Sequence, residues 1–154
     1  MARTVKDLEA YLAAIGRHFD VNGDGTMRLE PSTEGGPPTF VRTGDPVVFS
    51  IEIGKAPSGD SPTSAKFFRR LLELNASDLL YCAYGLRGED VVLSAAHELE
   101  NLDLNEVQAV LGDMDLALAR HMKELVSLSG TKGLHRSWEC SRASRSSSRP
   151  TSTI

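Results

Sequence analysis

Between Ser64 and Leu128 the chain spells a short helix, two strands joined by a tight turn, and a long capped helix, and this order constrains the fold more than any other feature. Phe67, Phe68, Leu71, Leu72 and Leu74 give the first of these helices an apolar surface broad enough to be packed between other elements. Two strands are predicted next, from Leu79 to Arg87 and from Asp90 to Glu98. Leu80, Cys82, Tyr84 and Leu86 alternate along the first, Val91, Leu93 and Ala95 along the second, and Gly88-Glu89 makes the turn.

Asp103 and Glu106 form a capping-box pair that opens the last helix. Val107, Val110, Leu111, Met114, Leu118, Met122 and Leu125 recur along it at three- and four-residue spacing, so one face must be covered. A helix of about 24 residues spans roughly 36 Å, more than a five-stranded sheet of this size needs. The surplus predicts a homodimer contact through Val107, Val110, Leu111, Met114, Leu118 and Met122.

The first half of the chain supplies the remaining elements. Thr4 and Asp7 suit another capping box, and Val5, Leu8, Leu12 and Ile15 keep helical spacing until Gly16. Three strands are predicted after it, at Thr26 to Glu30, Thr39 to Thr43 and Pro46 to Lys55, separated by Gly- and Pro-rich turns. Val47, Phe49, Ile51 and Ile53 share one face of the third, the pattern of an antiparallel strand with one solvated side. The whole reads as an α+β domain: helix, three strands, helix, two strands, helix, with a mainly antiparallel sheet packed against the helices.

Charge divides the chain in two. Residues 129–154 hold Lys132, Arg136, Arg142, Arg145 and Arg149 against Glu139 alone, a local charge of +4. The preceding 12 basic and 20 acidic residues leave the body at −8. Such a body repels phosphate backbones, which argues against nucleic acid as its partner. The stretch 129–154 is dominated by Ser, Arg and Thr without apolar periodicity and is predicted to be a disordered tail on a domain spanning 1–128. Its composition favours a solvated extension over an electrostatic arm for RNA or acidic lipid.

No apolar run approaches the ~18 residues of a membrane span, and the N-terminus reads as the start of a helix instead of a signal peptide, so a cytoplasmic protein is expected. Cys82 and Cys140 are the only cysteines, too few for a disulfide framework or a cysteine zinc site.

One motif suggests a cation. Asp20, Asn22, Asp24 and Gly25 match the first half of a calcium-binding EF-hand loop, but the position of the bidentate acid falls on Pro31 and no second helix follows. A turn between helix and strand is the better reading, and neither metal nor cofactor is expected. His18, His97, His121 and His135 are dispersed, and no metalloprotease, nucleophile-elbow or phosphate-loop pattern occurs. Glu98 with Glu100 and Asp113 with Asp115 read as solvated charge clusters, so no enzyme is expected.

The segments Leu71-Leu-Glu-Leu-Asn75, Ala83-Tyr-Gly-Leu-Arg-Gly-Glu-Asp-Val-Val-Leu-Ser94 and Leu99-Glu-Asn-Leu-Asp-Leu-Asn-Glu-Val107 resemble the type III secretion chaperone family, which includes the Tir chaperones, and the related YbjN-like domains. In that family a leucine-rich helix ending in Asn likewise leads to a Gly-containing hairpin and then to an acidic helix start. The resemblance covers most of residues 4–127. It implies a small, acidic, dimeric protein that holds an unfolded stretch of a client along sheet edges and apolar grooves. Phe49, Ile51, Ile53, Leu79 and Tyr81 are the candidate client contacts on this view, with core packing as the competing role for each. A YbjN-like regulatory module that binds a signalling partner or a small ligand is the alternative.

Overall fold

The computed structural model describes residues 4–130. Helix α1 (Val5–Ile15) is followed by strands β1 (Phe19–Val21), β2 (Thr26–Leu29), β3 (Thr39–Arg42) and β4 (Val47–Lys55). Helix α2 (Pro62–Ser77), strands β5 (Ala83–Arg87) and β6 (Asp90–His97), a single 3-10 turn (Leu99–Asn101) and helix α3 (Leu104–Ser129) complete the order. The strands form one antiparallel six-stranded sheet in the order β1-β2-β3-β4-β6-β5. The α+β class and the antiparallel sheet read from the sequence are those of the folded chain.

Local chemistry explains where the helices begin and end. Thr4 accepts from the Asp7 N–H while the Asp7 carboxylate accepts from the Thr4 N–H, and Asp103 and Glu106 do the same at the start of α3. Ser61 caps α2, with Pro62 in its first turn, where a missing N–H costs nothing. Gly16 ends α1 at φ 83°, a left-handed conformation that side chains with a Cβ resist.

One core lies between the helices and the inner sheet face. Leu8 and Leu12 of α1, Phe67, Leu71 and Leu74 of α2, and Val107, Val110, Met114 and Leu125 of α3 close on Met27, Val41, Phe49, Ile51, Ile53 and Leu93 from the strands. Ion pairs tie the helices at their margins. Arg17, just beyond α1, reaches Asp115 of α3 at 2.9 Å, and Arg70 of α2 grips both carboxylate oxygens of Glu124.

Three sequence expectations need correction. The sheet has six strands, because Phe19–Val21 pairs with Met27–Leu29 and places Asn22 to Gly25 in a hairpin turn. The calcium-like motif is that turn: Asn22 N–H donates to the Thr26 carbonyl, and the Asp24 carboxylate accepts from the Thr26 N–H at 2.9 Å. That hydrogen bond holds the Asp24 carboxyl below its ordinary range. The strand predicted from Leu79 begins only at Ala83.

The third correction concerns α3. Val107, Val110, Leu111, Met114 and Met122 are buried within the chain itself and Leu118 is half-buried, so the stripe has no surplus to offer a second copy. The length of α3 beyond a five-stranded sheet is taken up by the sixth strand and by α1 and α2, both of which pack against α3. Of the stretch 129–154 predicted to be disordered, only Ser129 and Gly130 are described. They end α3, and the rest lies outside the described residues.

Candidate functional site

A sheet that does not close into a barrel has two edges, and each exposes backbone groups that another strand can pair with. Here the edges are β1 and β5. Along an antiparallel pair, alternate residues direct their N–H and C=O toward the neighbour and the others direct theirs outward.

On β5 the outward residues are Tyr84 and Leu86. The Asn75 side chain, from the last turn of α2, meets Tyr84 as a strand would. Its Oδ1 accepts from the Tyr84 N–H at 2.7 Å and its Nδ2 donates to the Tyr84 carbonyl at 3.0 Å. Just before this strand, Asp113 of α3 gathers the chain with a single oxygen. Its Oδ2 accepts from the N–H groups of Leu80, Tyr81 and Cys82 at 3.1, 2.8 and 3.2 Å, and from the Cys82 thiol at 3.1 Å. Backbone committed to a carboxylate cannot join a ladder, which is why β5 starts late. Partial burial works against the Asp113 charge, but these donors outweigh it and hold the carboxyl below its ordinary range. Burial and the same carboxylate push the Cys82 thiol far up, so it stays protonated.

A row of side chains, exposed at Asp78 and buried at His121 and Tyr84, closes this end of the molecule. His121 of α3 lies between Asp78, 2.9 Å from its Nε2, and the Tyr84 hydroxyl, 3.0 Å from its Nδ1. The bond from His121 holds the Asp78 carboxyl below its ordinary range, and burial pushes the Tyr84 phenol far up. The order Asp, His, hydroxyl is that of a nucleophilic triad. However, Tyr84 and His121 are both buried, and the depression lined by Phe40, Val48 and Val92 lies on the other sheet face. The arrangement ties α2, β5 and α3 together.

The β1 edge is different. Asn22 donates to Thr26 and Glu30 donates to the His18 carbonyl, which fixes the phase of the β1–β2 pair. Phe19 and Val21 therefore point their backbone groups away from β2, and no partner meets them among the described residues. The Val21 side chain is 52% exposed.

The outer sheet face is open as well. Thr26, Phe40, Arg42, Val48, Ser50, Glu52, Arg87 and Val92 line a shallow depression of about 190 Å³. Its floor is apolar and its rim is charged.

The residues proposed from sequence as client contacts fall elsewhere. Phe49, Ile51 and Ile53 lie on β4, which is paired on both sides, and their side chains are buried in the core. Strand addition there is impossible and no side-chain surface remains. Leu79 is half-buried, while Tyr81 is 47% exposed in the segment that Asp113 holds. Asn75 stood in the sequence as the end of a leucine-rich helix just before a strand, the one local sign of its role. Asp113 has the sequence pattern of a solvated acidic pair with Asp115, and nothing in its neighbourhood signals partners 31 to 33 residues away. Among the described residues, no group of three or more His, Cys, Asp or Glu side chains is placed to hold a metal ion, and no helix is long and apolar enough to cross a membrane.

The family model CesT_Tir_1 matches residues 1–131. The chain belongs to the CesT_Tir_1 family. This is the type III secretion chaperone family that the hairpin and helix junctions resembled. A comparison with curated protein sequences gives no match for this CesT_Tir_1 member.

Solved structures agree on the fold. A chain of the heterodimeric ExoU–SpcU complex from the type III secretion system of Pseudomonas aeruginosa is 24% identical with a TM-score of 0.61, over 79% of this chain and 97% of that one. A chain of the complex between the Yersinia pestis type III secretion chaperone SycH and a stable fragment of YscM2 is 15% identical with a TM-score of 0.51, over 80% and 98%. YbjN of E. coli is 12% identical with a TM-score of 0.55, over 77% and 90%. At such identities the likeness is one of fold.

Proposed function

We propose that this CesT_Tir_1 member is a cytoplasmic, non-enzymatic chaperone that holds an extended stretch of a client polypeptide by adding it as a further strand to β1. The observation that carries the reading is the unpartnered outward edge at Phe19 and Val21, set against the closed edge at Tyr84. Membership of a chaperone family supports it, as do fold neighbours solved in complex with protein partners. Main-chain hydrogen bonds provide affinity in this mode, and alternate side chains select the segment.

Val21→Pro tests the reading. Proline at an outward-facing edge position removes one N–H that β2 does not use and obstructs an incoming strand, while the sheet itself is kept. Fluorescence anisotropy with a labelled peptide of alternating Val and Thr should show saturable binding to the full chain, weakened at least about tenfold by the substitution. Equal binding by both proteins would sink strand addition at β1.

A homodimer belongs to the same proposal, on a surface other than the α3 stripe. Leu72 of α2 and Leu80 before β5 are 67% and 83% exposed, the largest exposures among the big apolar side chains of the described residues. Light scattering at micromolar concentration should give a dimer that Leu72→Asp with Leu80→Asp converts to monomer. A wild-type monomer would remove the dimer from the reading.

A further inference from the structure

The outer sheet face collects arginines that the fold does not use. Arg42 of β3 and Arg87 of β5 project from this face and form no ion pair among the described residues, whereas Arg28 of β2 stands directly across from Asp20 of β1. Arg42 and Arg87 stand on the rim of the depression floored by Phe40, Val48 and Val92. Glu52 shares the rim, and Asp90 is neutralised by Lys55 at 2.7 Å, so the rim remains net positive. The surrounding body carries −8. This is a local reversal of sign around an apolar floor.

The size of the depression limits its occupant. At about 190 Å³ it is smaller than the roughly 300 Å³ at which small-molecule sites begin, and suits one apolar side chain. Two guanidinium groups beside that floor call for a carboxylate, which each can engage with two parallel N–H donors. The acidic body disfavours a polyphosphate chain at the same place. Position completes the argument. β3 lies two strands in from β1, about 10 Å away at the spacing of a sheet, so an extended chain leaving the β1 edge reaches the depression within about three residues.

We infer that the outer sheet face is a second contact for the client, one that takes an extended acidic segment with an apolar side chain in the depression and carboxylates to either side of it, one on Arg42 and one on Arg87. The inference rests on the client-holding reading above and adds the chemistry of the segment.

The test uses two labelled threonine-rich peptides, one with Leu and Glu at alternate positions and its twin with Leu and Lys. The full chain should bind the Glu peptide about tenfold more tightly, the effect of two exposed ion pairs, and the preference should shrink as salt rises. Arg42→Glu with Arg87→Glu should reverse the order of the two peptides while leaving circular dichroism unchanged. Val21→Pro should weaken both peptides together, so loss of edge binding and loss of charge selection are separate readouts. Equal affinity of the wild-type chain for the two peptides, or a preference untouched by the double substitution, overturns the inference. A single-stranded oligonucleotide that displaces the Glu peptide at stoichiometric concentration also overturns it, by making the face a general anion site.

Discussion

β1 and β5 both end the same sheet, yet the amide of Asn75 spans the outward N–H and C=O of Tyr84, while no described residue reaches those of Phe19 and Val21. An unpaired edge invites indiscriminate pairing, and folded chains ordinarily blunt theirs. Among the described residues one edge is blunted, and the other stands bare along a strand of three residues. The contrast teaches that the open edge is a difference in treatment within one sheet, since the means of closing an edge are present a few strands away. A short edge also limits the hazard: three residues support a partner that brings further contacts, but template a long ladder poorly.

The largest effect should come from erasing the distinction. Asn75→Ala leaves the outward groups of Tyr84 unpaired in a half-buried setting and should lower unfolding free energy by about 2 kcal/mol in urea titrations. It also makes a second open edge, so light scattering should detect concentration-dependent association beyond that of the wild type. A variant as stable and as soluble as the wild type would show that Asn75 does not guard β5.

Next is the latch before β5. Asp113→Asn weakens charge-assisted bonds to three N–H groups and should cost about 1.5 kcal/mol at neutral pH. Because the folded-state carboxyl lies below its ordinary value of 3.8, its contribution is fully present above that value and is lost as pH falls through the folded pKa. The stability gap between wild type and Asp113→Asn should therefore close in acid. A gap that persists at the lowest pH where both still fold would show that the charge is not what matters.

Tyr84→Phe removes one buried hydroxyl from His121 and should cost about 1 kcal/mol, read as a lower urea midpoint at unchanged slope. The smallest effect belongs to the open edge: Val21→Pro should change stability by less than about 0.5 kcal/mol, since no described contact uses that N–H. A large loss there would mean that β1 is part of the structural frame, and the contrast between the edges would weaken.

Much of this architecture was legible in the sequence because it is written locally. Thr4 with Asp7 and Asp103 with Glu106 announce helix starts across three residues, and the alternation of Val47, Phe49, Ile51 and Ile53 announces a strand with a core face. What alternation does not tell is the position of a strand in its sheet. β4 proved central, so the residues chosen for a partner were the best core formers. β1 is not legible in the sequence because three residues give too little pattern, and the Asp- and Gly-rich turn beside it carries the spacing of a cation loop. The closed edge was illegible for another reason. Asn75 and Asp113 act on backbone groups, and backbone acceptors and donors leave no mark on the identity of the residues that carry them.

The link from Asp78 through His121 to Tyr84 joins three elements that lie far apart along the chain. His121 offers one ring nitrogen to each partner from a single orientation, so the ring cannot turn without losing one of them. The junction of α2, β5 and α3 therefore has one setting. It fixes the closed edge at one end of the sheet, while at the other end no described residue meets the outward groups of Phe19 and Val21.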